Sequence, residues 1–141
     1  MKTTKQKSWL DKLNEEKESK TKRIDFDFAD IPAGSMMFIA TPKLIDQYIK
    51  EIKVGKHIDI KTLRKDLALA NNADYTCPVT TGIFLRIVAE ANYEMLQQGK
   101  RLSEITPFWR VIEPNSTLAK KLTFGQEFLQ NQIAIESALS T

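Results

Sequence analysis

Ile105-Thr106-Pro107-Phe108-Trp109-Arg110-Val111-Ile112 crowds β-branched and aromatic side chains into eight residues. Proline disfavours helix in the residue before it, and such a run favours extended chain, so a short strand is expected here. The segments before it read as helix. Thr41-Pro42 supplies an N-cap followed by proline at the first helical position. Leu44, Ile45, Tyr48, Ile49 and Ile52 then recur as one apolar stripe, and Gly55 closes the helix. Asp59 caps a second helix whose apolar face is Ile60, Leu63, Leu67 and Ala70, with Asn71-Asn72 as its stop. A third helix starts between Pro78 and Gly82, buries Ile83, Phe84, Ile87, Val88, Ala91 and Met95, and ends at Gly99. Beyond the strand, Glu113-Pro114-Asn115-Ser116 reads as a turn. A last helix follows Gly125, with Phe128, Leu129 and Ile133 as its contacts. The fold class is therefore mainly α with one short strand. The second and third helices are candidates for a helix-turn-helix pair.

Residues 1–40 read differently. Trp9, Leu10 and Leu13 form a short helical stripe that stops at the polar run Asn14 to Lys22. Phe26 and Phe28 alternate with Asp25 and Asp27, Pro32 to Ser35 is a turn, and Met36 to Ala40 is a second extended piece. We expect an N-terminal extension, 1–40, with little regular structure, and a domain over 41–141. Residues 1–24 hold eight Lys/Arg (Lys2, Lys5, Lys7, Lys12, Lys17, Lys20, Lys22, Arg23) against four acids, a net +4. The other 117 residues hold 13 basic and 14 acidic, a net −1. The leader is either a solvated segment or a basic arm that tracks phosphates.

At 141 residues the chain is long enough for one domain with a core of its own. A single cysteine excludes an intrachain disulfide framework and suits the reducing cytoplasm. One histidine, His57, leaves little for a metal site, and no metal or cofactor is expected. No apolar run approaches a membrane span, and no apolar stretch behind the lysine-rich start makes a signal peptide.

Several segments, in order, carry a family resemblance. Pro107-Phe108-Trp109-Arg110-Val111-Ile112 resembles the Pro-Cys-His-Arg-Val-Ile/Val active-site motif of the alkylguanine-DNA alkyltransferases, the methylated-DNA–protein-cysteine methyltransferases. Val54-Gly55-Lys56 resembles the Pro-x-Gly-Lys turn ahead of that family's helix-turn-helix. Thr80-Thr81-Gly82 falls where its recognition helix carries Arg-Ala-Val-Gly. Ser116-Thr117-Leu118 and Phe124-Gly125 resemble the Gly-x-Leu and Gly-Gly pieces after the motif. Thr76-Cys77-Pro78-Val79-Thr80-Thr81-Gly82-Ile83, taken with Ile105 to Arg110, is similar to a divergent bacterial branch whose motif reads Pro-aromatic-Trp-Arg. The resemblance covers about residues 41–137.

It implies a winged-helix-like DNA-binding fold that reaches a base by extruding it from the stack. It also implies a loss of chemistry. Phe108 stands at the nucleophile and has no atom that accepts an alkyl group. Trp109 stands at the histidine base, and an indole only donates. Val79 stands at the arginine that replaces the flipped base. Glu136 matches the carboxylate that orients the histidine; with nothing to orient, a surface charge is expected. The resemblance thus points to a non-enzymatic DNA-binding, alkyltransferase-like protein of DNA repair that recognises damaged or alkylated bases without repairing them. No catalytic residue is assigned. Duplex DNA is the expected partner, bound by a monomer. Phosphate contacts fall to Thr80, Thr81, Arg86, Lys100, Arg101, Lys120 and Lys121, and a base pocket to Phe108, Trp109 and Arg110. Thr80 and Thr81 also suit the capping of their helix, and Phe108 and Trp109 the two faces of a strand in the core.

Two alternatives stand beside this reading. One is a protein-interaction domain that kept the fold and lost DNA, in line with the −1 body. The other is alkyl transfer to Cys77, just before the third helix, where the helix dipole lowers a thiol pKa. A lone cysteine among apolar neighbours is more often a packing residue.

Overall fold

The computed structural model describes residues 7–139, so Lys2 and Lys5 of the basic leader lie outside the described residues. The chain is mainly helical with one small open sheet. Its elements in order are α1 (Trp9–Asn14), β1 (Lys20–Arg23), β2 (Met36–Ile39), α2 (Pro42–Lys50), α3 (Ile60–Ala70), β3 (Tyr75–Thr76), α4 (Pro78–Gln97), α5 (Thr117–Lys121) and α6 (Glu127–Leu139). Short 3-10 turns cover Leu102–Glu104 and Phe108–Arg110. No helix among the described residues is long and apolar enough to cross a membrane.

The helix boundaries follow their capping residues. Thr41 accepts the Leu44 amide at 3.2 Å and Asp59 accepts the Thr62 amide at 2.7 Å, each satisfying a donor the helix cannot use internally. Asn72 and Gly99 take positive φ just past α3 and α4, 55° and 106°, the left-handed conformation that ends a helix. α4 is the central helix. α1 and α2 pack on it, and its buried face (Leu85, Val88, Ala89, Ala91) joins Ile45, Ile49, Leu63, Phe108 and Leu129 in the main core.

One expectation about the fold is corrected, and three elements, β1, β3 and α5, join those expected. Within residues 7–40 the expected helical stripe and second extended piece are α1 and β2. Ser8 and Asp11 form a capping box on α1, and Leu13 is buried in the main core. β1 pairs antiparallel with β2 (Lys20 opposite Ile39, Arg23 opposite Met36), and β2 pairs parallel with β3. The sheet therefore joins the N-terminal part to the segment just before α4. Ile24, Ile31, Met37 and Cys77 form a second apolar cluster beneath it.

Ile105–Ile112 is not a strand. Phe108 N–H donates to the Thr106 carbonyl, Arg110 N–H to Pro107, and both Val111 and Ile112 N–H to Phe108, so the chain coils on itself. The physical reason lies in burial. Ile105, Thr106, Phe108, Trp109, Val111 and Ile112 are all buried, whereas a half-buried strand would expose alternate residues. A turn sends consecutive large side chains into one core.

α5 lies where no element was expected. Ser116 caps it by accepting the Ala119 amide at 3.1 Å.

Asn92 of α4 anchors the 105–112 segment. Its side-chain carbonyl accepts the Thr106 amide at 2.8 Å, and its Nδ2 donates to Val88 O (2.8 Å) and Asp46 Oδ1 (3.2 Å). Asn92→Leu strands the buried Thr106 donor and should cost about 1–3 kcal/mol in urea unfolding, as buried donors without acceptors do. A loss under 0.5 kcal/mol, on the order of a surface change, would show that this tether is dispensable.

Candidate functional site

Trp109, Arg110 and Glu136 form a closed polar cluster between the 3-10 turn and α6. The Trp109 indole N–H donates to Glu136 Oε2 at 2.8 Å. Arg110 donates to the same carboxylate from Nε (3.0 and 3.1 Å) and Nη2 (2.7 Å), and from Nη1 to the Ile52 carbonyl at 2.6 Å. The Gly55 amide adds a longer contact at 3.3 Å. Glu136 is thus buried and saturated, not a surface charge, which corrects the sequence expectation. Burial alone pushes its pKa up. The Arg110 and Trp109 hydrogen bonds and the Gly55 amide outweigh burial and hold it below the usual carboxylate range.

Phe108 is fully buried. Its ring contacts Trp109, Phe124 and Phe128 at centroid separations of 5.5 to 5.7 Å, so no ring face is left for an incoming base. Of the three residues expected to form a base pocket, Trp109 and Arg110 border a cavity. It measures about 330 Å³ and is shared with Lys50, Ile105, Pro107 and the Leu102–Glu104 turn.

The residues expected to contact phosphate do not form one rim. Arg86 and Lys121 line a groove of about 790 Å³ along the first turns of α4. Lys120 is exposed beside it on α5. Lys100 and Arg101 follow the opposite end of α4, whose last residue lies roughly 16 Å beyond Arg86 by the helical rise, and Arg101 pairs with Glu104 there. Thr81 is wholly buried and bonds back to the Cys77 carbonyl at 2.6 Å, so it reaches no ligand. Thr80 is half-buried and its hydroxyl has no partner. Neither threonine caps α4, because the N-cap position is Cys77, which makes no side-chain cap bond.

Cys77 is buried against Ile24, Ile31 and Met37, and His57 lies in an exposed turn between α2 and α3. Among the described residues no group of three or more His, Cys, Asp or Glu side chains is placed to hold a metal ion.

The groove contains residues the sequence did not nominate. Val79 and Ile83, 52% and 54% exposed, project from α4, so Ile83 lies outside the buried stripe expected for this helix. Trp9 and Lys12 of α1 form one wall, and Thr117 of α5 lies on the other. Three cations (Lys12, Arg86, Lys121) and no acid line it, although the body as a whole is slightly acidic. Gly82 lies in the same helical stripe. Glycine inside a helix costs about 0.5–1 kcal/mol relative to alanine, yet a Cβ here would meet nothing within 4 Å. The missing side chain opens the groove instead of relieving a packing clash. No protein-family model, curated protein or solved structure matches the chain, so its function is argued from this groove and the Trp109–Arg110–Glu136 cluster.

Proposed function

We propose that this chain is a non-enzymatic DNA-binding protein of the alkyltransferase-like kind, a winged-helix-like domain that lays the start of α4 against duplex DNA. The observation that carries the reading is the groove beside Val79, Gly82 and Ile83, which has an apolar floor and a rim of three cations without an acid. Lysine and arginine on such a rim neutralise backbone phosphates and release counterions. Apolar side chains between them suit partial insertion at a base step, with Val79 at the position where the resemblance places an arginine. The Trp109–Glu136 hydrogen bond lends further support, since a carboxylate holds the residue that stands for the family's histidine. The indole takes no proton near neutral pH and Phe108 offers no nucleophile, so the proposed role is recognition without repair.

Fluorescence anisotropy of plain and alkylguanine-containing duplexes across a salt series tests this. Binding should weaken with a log–log salt slope of about −3, from roughly one phosphate per rim cation. A flat titration at low salt would instead favour a protein partner, the reading that the exposed Val79 and Ile83 side chains support. Transfer to Cys77 draws no support from its apolar surroundings.

A further inference from the structure

We propose that α1 is a functional wall of the groove, in which Trp9 holds Arg86 so that the terminal nitrogens of its guanidinium grip a nucleic-acid phosphodiester. This rests on the DNA-binding reading above and assigns a role to the leader helix. Three described arginines have side chains no more than one third exposed: Arg64 at 12%, Arg110 at 11% and Arg86 at 32%. The first two are satisfied by the protein. Arg64 forms a fork with Asp30, both bonds 2.8 Å, and donates to the Thr76 carbonyl at 3.0 Å. Arg110 is saturated by Glu136 and Ile52.

Arg86 differs. Its Nε is buried without a hydrogen-bond partner. Glu90 Oε2 lies at 3.6 Å, an ion pair without a hydrogen bond. Glu90 is itself taken up by the amide and hydroxyl of Thr123. Guanidinium is a planar fork that matches phosphate oxygens, and here it borders a groove lined by two further cations and no acid, with Glu90 as its ion-pair partner within the protein.

Trp9 keeps it there. The Arg86 guanidinium lies 5.1 Å from the Trp9 ring centroid, within cation–π range. An aromatic face attracts the cation without consuming its N–H donors. α1 is fixed in turn by Glu94 of α4, which accepts the Trp9 and Leu10 amides at 3.4 and 3.3 Å. Lys12 sits 4.4 Å from the same ring and adds charge to the same wall. The leader therefore acts through a docked helix, and Trp9 is a positioning residue for Arg86.

The test uses the full chain and a plain duplex, with anisotropy across a salt series for wild type, Arg86→Gln, Trp9→Phe and Trp9→Leu. Arg86→Gln should weaken binding about tenfold and flatten the salt slope by about one. Trp9→Leu should weaken it by roughly threefold to tenfold, and Trp9→Phe should restore most of the loss because the ring face returns. In NMR, added duplex should shift the Arg86 Nε–H resonance and leave those of Arg64 and Arg110 in place. Wild type that binds while Arg86→Gln binds equally well overturns this inference and leaves the DNA reading standing. Trp9→Phe as weak as Trp9→Leu overturns the positioning role. Wild type that does not bind duplex at all defeats the DNA reading and this one with it.

Discussion

Glu136→Gln should destabilise the chain by about 3 kcal/mol at neutral pH, the scale of removing one partner from a buried ion pair. Glutamine keeps the shape and one acceptor for the Trp109 indole, but it leaves the enclosed Arg110 guanidinium without a counter-charge. The wild-type advantage has a defined pH dependence. The folded-state pKa of Glu136 lies below its ordinary value of 4.5, so the unfolded chain takes up the proton first as pH falls. The stabilisation is present above about pH 5 and is lost as pH drops through the lowered folded value. Chemical denaturation at several pH values should therefore show the two proteins converging in acid. A difference that persists unchanged at pH 3 would place the effect in shape and not in charge. Arg110→Met with Glu136→Gln should cost less than the two single changes together, because neither charge is then left alone; the cycle should give a coupling of about 1–3 kcal/mol.

This cluster also marks where the sequence could and could not be read. The capped helices were legible because their signals are local: Thr41 and Asp59 sit three residues from the amides they bind, and Gly99 follows directly on α4. Ile105–Ile112 was misread because β-branched and aromatic content reports what packs well on a half-buried surface. Here the segment is buried on every side, and core packing overrides local preference. Lys20 to Arg23 looked like solvated leader because none of its side chains is buried. It is a strand through its backbone pairing with Met36–Ile39 alone, which composition does not report. Phe108, Trp109 and Arg110 were located by motif order. The acid that organises two of them lies 26 residues beyond Arg110, and one unremarkable glutamate in a helix gives no local sign of its partners. Trp9 and Lys12 were out of reach for the same reason, since they meet Arg86 only after α1 docks on α4.

Phe108→Ala should cost about 3–5 kcal/mol, as large-to-small changes at fully buried aromatics do. The ring is wholly enclosed and, of its neighbours, Phe128 also contacts both Trp109 and Phe124, so none can move inward without disturbing a ring contact of its own. A cavity should remain, and the midpoint of thermal unfolding should fall by several degrees, on the order of 2–8 °C per kcal/mol lost for a domain between 60 and 250 residues. A loss below 1 kcal/mol would mean that the aromatic cluster refills the space and that Phe108 is replaceable filler. Phe108→Cys carries the same argument into function. It returns a thiol to the position where the resemblance expects one, but the thiol would lie in a sealed apolar site beside an indole that accepts no proton. Its pKa should rise on desolvation, and Glu136 is already bound to Trp109 and Arg110. Mass spectrometry after incubation with alkylguanine DNA should find that cysteine unmodified. An alkyl adduct there would show that the site opens to an extruded base and that Trp109 does not stand in the way of transfer.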